Sequence, residues 1–340
     1  MKRHDVVVVG ATGLVGRKIL QVMEERRFPI GRLLAVAGSR SAGTELRFGR
    51  DTFKAVKLDA RCFIPGSVTF FAAGGQVSRE WAPVAAGHAA IVIDNSSEFR
   101  MTDDVPLVIP EINPAAVFGG SRIIANPNCS TIQMLLPLKP LHDAFRIRRI
   151  VVATYQAVSG AGRRGMLQLE SETAGAETAD PAFPHPIASN ALPHIAPFGE
   201  DGYSREERKM VEETRKILGD HDIQVSPTCV RIPVMYCHSE AVNVQFERQF
   251  NMDDARAMIA AAPGVILRDD PAAAVYPLAS DAADRDEVFV GRLRRDESVE
   301  NGLSLWIVSD NLRKGAATNA VQIAETWLRG PGVRDADKPQ

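Results

Sequence analysis

The sequence is poor in most of the features that would place it at a glance. Four cysteines in 340 residues are too few for a disulfide scaffold, so a reducing, cytoplasmic setting is expected. Lys and Arg total 40 against 42 Asp and Glu, for a formal net charge of -2. That balance argues against a strongly basic nucleic-acid binder, while leaving room for a local basic pocket. No apolar run reaches the roughly 18–20 residues of a membrane span. The four valines after Asp5 are too few for a signal-peptide core, so neither a membrane nor a leader is expected. Cys229, Cys237 and His238 lack paired zinc-ligand spacing, and no metal is expected. There is no internal repeat and no low-complexity tract. What remains is ordinary globular composition, 45% hydrophobic and 24% charged, in a chain long enough for two domains.

The first part of the chain alternates strand and helix. Val6–Val9 is a β-branched run suited to a strand buried on both faces of a parallel sheet. It ends at Gly10-Ala-Thr-Gly-Leu-Val-Gly16, and an apolar-periodic segment follows (Leu14, Val15, Ile19, Leu20, Val22, Met23). Leu33–Ala37 then predicts a second strand, completing a βαβ unit. Val68–Phe71 and Ile91–Ile93 predict further strands, Trp81–Ala90 a helix, and Asp94–Ser97 a loop at a strand's carboxyl end. Past about residue 150 the texture changes. Longer strands are expected at 150–156, 241–246, 287–290 and 303–308, with a Pro/Ala/His-rich stretch at 180–198 and a charged helix at 204–218. A last helix is expected at 316–328. The whole reads as α/β, with a Rossmann-type dinucleotide-binding domain and a second domain of α+β type.

Three places carry chemistry. In the glycine turn, Gly10 allows the turn, Gly13 lets a pyrophosphate approach the backbone and Gly16 lets helix pack on sheet. At the end of the second strand an NAD site usually has an acidic residue for the ribose. Here stand Ser39, Arg40 and Ser41, which suit the 2′-phosphate of NADP. The third place is Asn126-Pro-Asn-Cys-Ser-Thr131, which lies between a strand-like and a helix-like segment. Cys129 is thereby put at a helix start, where free N–H groups and the dipole stabilise a thiolate. A nucleophilic cysteine needs a base in reach. His238 is a candidate, as readily a core histidine as a base on its own.

Taken together, Gly10–Gly16, Asn126–Thr131, Gln156-Ala-Val-Ser-Gly-Ala-Gly162, Arg231 with His238, and Asn311-Leu-Arg-Lys-Gly-Ala-Ala317 resemble the aspartate-β-semialdehyde dehydrogenase family over nearly the whole chain. The resemblance implies a Rossmann domain, 1–129 with 316–340, and a catalytic and dimerisation domain, 130–315, related to that of glyceraldehyde-3-phosphate dehydrogenase. It implies a homodimer that reduces L-4-aspartyl phosphate to L-aspartate 4-semialdehyde with NADP as cofactor. The reaction serves lysine, threonine, methionine and diaminopimelate biosynthesis. Cys129 would be the nucleophile holding a thioester, His238 the acid/base, and Gln156 the residue that orients the substrate. Arg231, a planar two-donor fork, would pair with the substrate carboxylate. Arg100, Asn128 and Lys209 would bind phosphate. Thr12, Gly13, Leu14, Val15, Ser39, Arg40, Ser41, Ser159, Gly160 and Asn319 would line the NADP site with Gly10 and Gly16.

N-acetyl-γ-glutamyl-phosphate reductase shares the chemistry, but its cysteine usually sits in Pro-Gly-Cys-Tyr, unlike Pro127-Asn-Cys-Ser130. A non-enzymatic nucleotide-binding relative would be expected to have lost the cysteine. In the charged helix the family has an acidic residue and a lysine three apart, usually with tryptophan before the lysine. Glu206 and Lys209 fit that spacing, although Arg208 takes the tryptophan's place. The helical wheel turns Glu207 inward and Glu206 only to the edge, and Ser204 with Glu207 reads as a capping box.

Overall fold

A computed structural model describes residues 2–331. The chain falls into two compact units, one made of the chain before Asn128 together with Ala317 onward, the other of Asn128–Ala316.

The first unit contains β1 (His4–Val9), α1 (Leu14–Glu25), β2 (Ile30–Ala37), a hairpin of β3 (Glu45–Phe48) and β4 (Asp51–Lys54), β5 (Val56–Lys57), β6 (Val68–Phe71), α2 (Gly75–His88), β7 (Ile91–Asp94) and β8 (Ile123–Ala125). Its main sheet runs β5-β2-β1-β6-β7-β8, every neighbour parallel. That is the doubly wound order, with β1 at the centre. The valines of β1 explain the architecture. Val6 and Val8 join a core with Ile19, Met23 and, from the last helix (Thr318–Arg329), Val321 and Ala324; Val7 and Val9 join a second core with Ala82 and Ala85 of α2. All four are buried, each contributing roughly 1.5–3 kcal/mol. The helix expected at 81–90 begins six residues earlier, because its polar first turn is anchored from outside the apolar pattern. Ser78 is buried and donates to Asp94 (2.7 Å).

The second unit comprises α3 (Cys129–Phe145), β9 (Ile147–Gln156), α4 (Gly162–Thr173), α5 (Arg205–Leu218), β10 (Gln224–Arg231), β11 (His238–Phe246), α6 (Met252–Ala261), β12 (Val265–Leu267), α7 (Ala279–Ala282), β13 (Val288–Asp296) and β14 (Gly302–Ser309). Its mixed sheet runs β10-β9-β11-β14-β13-β12, with parallel pairs only at its two ends. Helix α3 is buried along most of its length and packs on β9, β11 and β14. β13 runs six residues past the expected end at Val290. A register break between Gly291 and Arg294 carries the chain into a second, arginine-rich stretch that lacks apolar alternation. The last helix begins at Thr318 rather than 316, after a π turn at Arg313–Ala317. Among the described residues no helix is long and apolar enough to cross a membrane, and no group of three or more His, Cys, Asp or Glu could hold a metal ion.

Candidate active site

Strand alternation builds the site in the second unit. Side chains of period two share a face, so Val152, Thr154 and Gln156 of β9 are buried together, as are His238, Glu240, Val242 and Val244 of β11. The apolar members lie along the sheet and the polar ones gather at one end. There Arg231 of β10 pairs in register with Gln156. The start of α3 reaches the same place, since Gln156 Nε2 donates to Ser130 Oγ (2.9 Å) and Gln133 Nε2 to the carbonyl of His238 (3.3 Å).

Cys129 is the first residue of α3 and is half-buried, whereas Cys62, Cys229 and Cys237 are buried. Asn128 caps the helix, its Oδ1 accepting from the N–H groups of Ser130 (3.0 Å) and Thr131 (3.3 Å). Its Nδ2 donates to Glu206 (2.7 Å) and its backbone N–H to Glu213 (2.6 Å). Both ends of the Asn128 amide are therefore engaged within the protein. Beside Cys129, a Cβ on Gly315 would lie 2.7 Å from that of the cysteine, which leaves only glycine room there.

Helix α5 supplies the acidic groups. Its capping box is present: Glu207 N–H donates to Ser204 Oγ, and Ser204 N–H donates to Glu207 Oε2 (2.7 Å). The other oxygen of Glu207 accepts from the backbone of Cys229 (3.0 Å), so this carboxylate is wholly committed to holding the helix. Glu206 is buried, rather than only at the edge of the inward face where the wheel puts it. The wheel erred because α5 packs against both α3 and β10, and two neighbours bury a wider arc than one apolar stripe. Burial opposes ionisation of Glu206, but Lys209 (3.0 Å), Asn128 and Arg231 outweigh it and draw its pKa down to about 2. Glu213, missed in the sequence, lies seven residues beyond Glu206. Two helical turns on one face were the signal available.

The buried Arg231 donates from Nη1 to the carbonyl of Ala157 (2.6 Å), while its Nε has no partner. His238 is fully buried. Its Nδ1 accepts the N–H of Ala157 (3.0 Å), and Nε2 has no partner. Burial, and then the Arg231 guanidinium, lower its pKa to about 3, so the ring is neutral. Gly160 lies where both side chains converge. A Cβ there would be 2.8 Å from Arg231 Nη1 and 3.3 Å from the His238 ring. Ser159 is buried, its hydroxyl paired with Asn311, whose Oδ1 also accepts the N–H of Cys237. Cys237, just before β11, has φ of 71°, a left-handed conformation unusual for a residue with a side chain.

In the first unit the glycine turn is built as its spacing implies. Gly10 has φ of 83°, and a Cβ on Gly16 would collide with the Gly10 carbonyl. Gly13 is exposed at the start of α1, which has no side-chain cap and no acidic residue in its first turn; Thr12, Leu14 and Val15 flank it, half-buried. Ser39 and Arg40 are exposed and Ser41 half-buried in the turn after β2. Arg100 is buried, donating to the carbonyls of Asn126 (2.9 Å) and Asn95 (3.1 Å). Asn319 is fully buried, its Nδ2 donating to the Val108 carbonyl (2.9 Å) and to Asn126 (2.8 Å), which braces the last helix against the loop after β8.

Known proteins resemble this chain along nearly its whole length. Residues 5–119 match the family model described as semialdehyde dehydrogenase, NAD binding domain, and residues 138–314 that described as semialdehyde dehydrogenase, dimerisation domain. An aspartate-semialdehyde dehydrogenase of Aquifex aeolicus is 52% identical over 334 residues, covering 96% of this chain and 98% of the relative. The crystal structure of aspartate semialdehyde dehydrogenase II from Vibrio cholerae superposes with a TM-score of 0.92 at 45% identity, covering 97% of this chain and all of the other. A second Vibrio cholerae structure, 44% identical with the same TM-score and coverage, is of that enzyme complexed with ASA. With such identity across both units, the chain belongs to the aspartate-semialdehyde dehydrogenase family of oxidoreductases.

Proposed function

We propose that the protein is an NADP-dependent aspartate-semialdehyde dehydrogenase, working as a homodimer and reducing L-4-aspartyl phosphate through a thioester on Cys129. The observation that carries this reading is the meeting of Arg231, Gln156 and His238 with the capped start of α3 at one end of a sheet. The dimerisation-domain match supports the homodimer, and the ASA complex of the Vibrio cholerae relative supports the substrate.

The first unit fits a dinucleotide. The uncapped start of α1 at Gly13 offers N–H groups to a diphosphate. Arg40, with no acidic residue beside it, suits a 2′-phosphate. In the reaction, Cys129 sulfur attacks the acyl carbon, a C–S bond forms, and the C–O bond to phosphate breaks with its electron pair. When bound, NADPH supplies the hydride that reduces the thioester carbon. His238 holds a proton at Nε2 for the resulting oxyanion. The proton stays on Nε2 as a hydrogen-bond donor, and as the oxyanion collapses to the C=O of the aldehyde the C–S bond breaks and the thiolate returns. Arg231 grips the α-carboxylate, Gln156 orients the acyl group, and Glu206 accepts from the α-ammonium. Lys209 is the candidate for the phosphate in the second unit, and Arg100 the candidate in the first. Asn128 serves that step through the cap it makes, because its amide is already bonded at both ends.

The test is NADPH oxidation by purified protein with L-4-aspartyl phosphate, and NADPH formation from L-aspartate 4-semialdehyde, phosphate and NADP. Turnover of both is expected. Failure of both, or preference for N-acetyl-γ-glutamyl phosphate, would overturn the reading.

A further inference from the structure

Glu240 has no part in the reaction above, yet it lies fully buried two residues along β11 from His238. Its polar neighbours on α3 are the Ser130 hydroxyl and the Gln133 amide, but neither carboxyl oxygen is within hydrogen-bond geometry of a partner. Thr154 is opposite it on β9, and the nearby ionisable group is the Cys229 thiol, which burial keeps neutral. None of these neighbours is a cation.

The bonds on either side have a direction. Gln156 Nε2 donates to Ser130 Oγ (2.9 Å), so the Ser130 hydroxyl hydrogen is available to a further acceptor. Gln133 Nε2 donates to the His238 carbonyl, which leaves Gln133 Oε1 as a buried acceptor lacking a donor. A carboxylate between them would serve Ser130 but has no hydrogen for Gln133. A carboxylic acid serves both, its C=O accepting from Ser130 and its O–H donating to Gln133.

We propose that Glu240 is held as a neutral carboxylic acid and is a positioning residue, closing a hydrogen-bonded chain from Gln156 through Ser130 and Gln133 to the backbone of His238. Small changes of side-chain geometry join the groups already in place. Burial without a charged partner, which raises the carboxyl pKa well above its ordinary value, agrees with this form. The chain ties the strand bearing His238 to the helix bearing Cys129. Its kinetic consequence rests on the thioester reading, whereas its protonation state does not.

The experiment joins infrared spectroscopy with three proteins, the wild type, Glu240→Gln and Glu240→Leu. At pH 8 the wild type should show a carboxylic-acid C=O band that shifts in D2O and is missing from Glu240→Gln. Glutamine can accept from Ser130 and donate to Gln133, so kcat should stay within about threefold of the wild type. Leucine fills the space but strands both partners, and kcat should fall by roughly 5- to 150-fold with NADP affinity unchanged. Circular dichroism reports whether the leucine variant folds; if it does not, the band and the glutamine variant decide. Absence of the band, a glutamine variant with kcat reduced at least fivefold, or a folded leucine variant with full kcat would each overturn the proposal. A wild type inactive on both substrates would instead count against the dehydrogenase reading and leave the band to judge Glu240.

Discussion

In the first unit the residues proposed to meet the dinucleotide lie largely on turns, with Gly13 and Arg40 exposed, above a strand that is apolar on both faces. In the second unit, Glu206, Glu213, Arg231, His238 and Glu240 are all buried. The first arrangement offers a ligand backbone N–H groups and a few outward side chains. The second takes charges and lone pairs out of water and must satisfy each one from inside the protein. Cofactor binding by the first unit should therefore be less sensitive to side-chain change than chemistry in the second.

The largest test of that contrast is Cys129→Ser. Turnover should fall at least ~10³-fold, while NADP affinity and thermal stability change little. Steady-state assays beside a fluorescence titration of NADP separate the two, and near-normal turnover would refute the mechanism. Iodoacetamide should reach Cys129 first, since Cys62, Cys229 and Cys237 are buried and burial raises the pKa of all three thiols. Peptide mapping after brief labelling reads the order.

Next in size are the two arginines. Each change removes a charge-assisted contact, and leaving its partner unpaired costs on the order of 2–5 kcal/mol. Arg231→Ala should mainly raise the KM for the semialdehyde, and Arg100→Ala mainly that for phosphate. Arg231→Lys should rescue only in part, lacking the planar fork. If instead both constants rose in step and both melting temperatures fell, the arginines would be structural.

A smaller effect is expected at Arg40. Arg40→Ala should weaken NADP about 10- to 150-fold and leave NAD nearly unchanged, which isothermal titration with each cofactor would measure. Equal loss for both would remove Arg40 from the 2′-phosphate.

A separate effect is on stability against pH. His238 has a folded pKa near 3, below its ordinary 6.5, so the unfolded chain binds the extra proton between those values. The stability it contributes is complete above about pH 6.5 and is lost as pH falls toward 3. Glu206, depressed to about 2 from 4.5, adds a loss in the same direction between those values. Each group can change the folding equilibrium by at most about tenfold per pH unit. Urea titrations from pH 7 to 4 should show the decline in the wild type and a flatter one in His238→Gln. Equal slopes would show that the imidazole protonates freely in the folded state.

The contrast between the units also sets how much could be read in advance. β1, the glycine turn and α1 follow from one short stretch, because the steric demands on Gly10 and Gly16 come from residues close by or from the adjoining strand. Cys129 was legible for the same reason, as its helix start and cap are local. The surroundings of Asn128 were not. Glu206 and Glu213 reach it across 78 and 85 residues, and nothing near either residue announces the pairing. Gly160 reads as part of a cofactor motif, yet what forbids a side chain there is Arg231 and His238, brought in by other strands. Glu240 precedes the strand expected at 241–246, and its burial depends on α3 covering that face of β11.

The left-handed residue Cys237 immediately precedes β11. Because alternate residues face opposite ways, a change of loop length that let β11 slip by one residue against β9 and β14 would exchange the faces of His238 and Glu240 with those of their neighbours. The composition would scarcely change, and the sheet could still pair, but the active site would have lost both groups at once. Length changes in this loop are thus tolerated where the loop absorbs them without a slip of the strand, whereas substitutions at its exposed positions escape that constraint. For this enzyme family, gaps in an alignment at this loop should report on loss of activity more sharply than mismatches do.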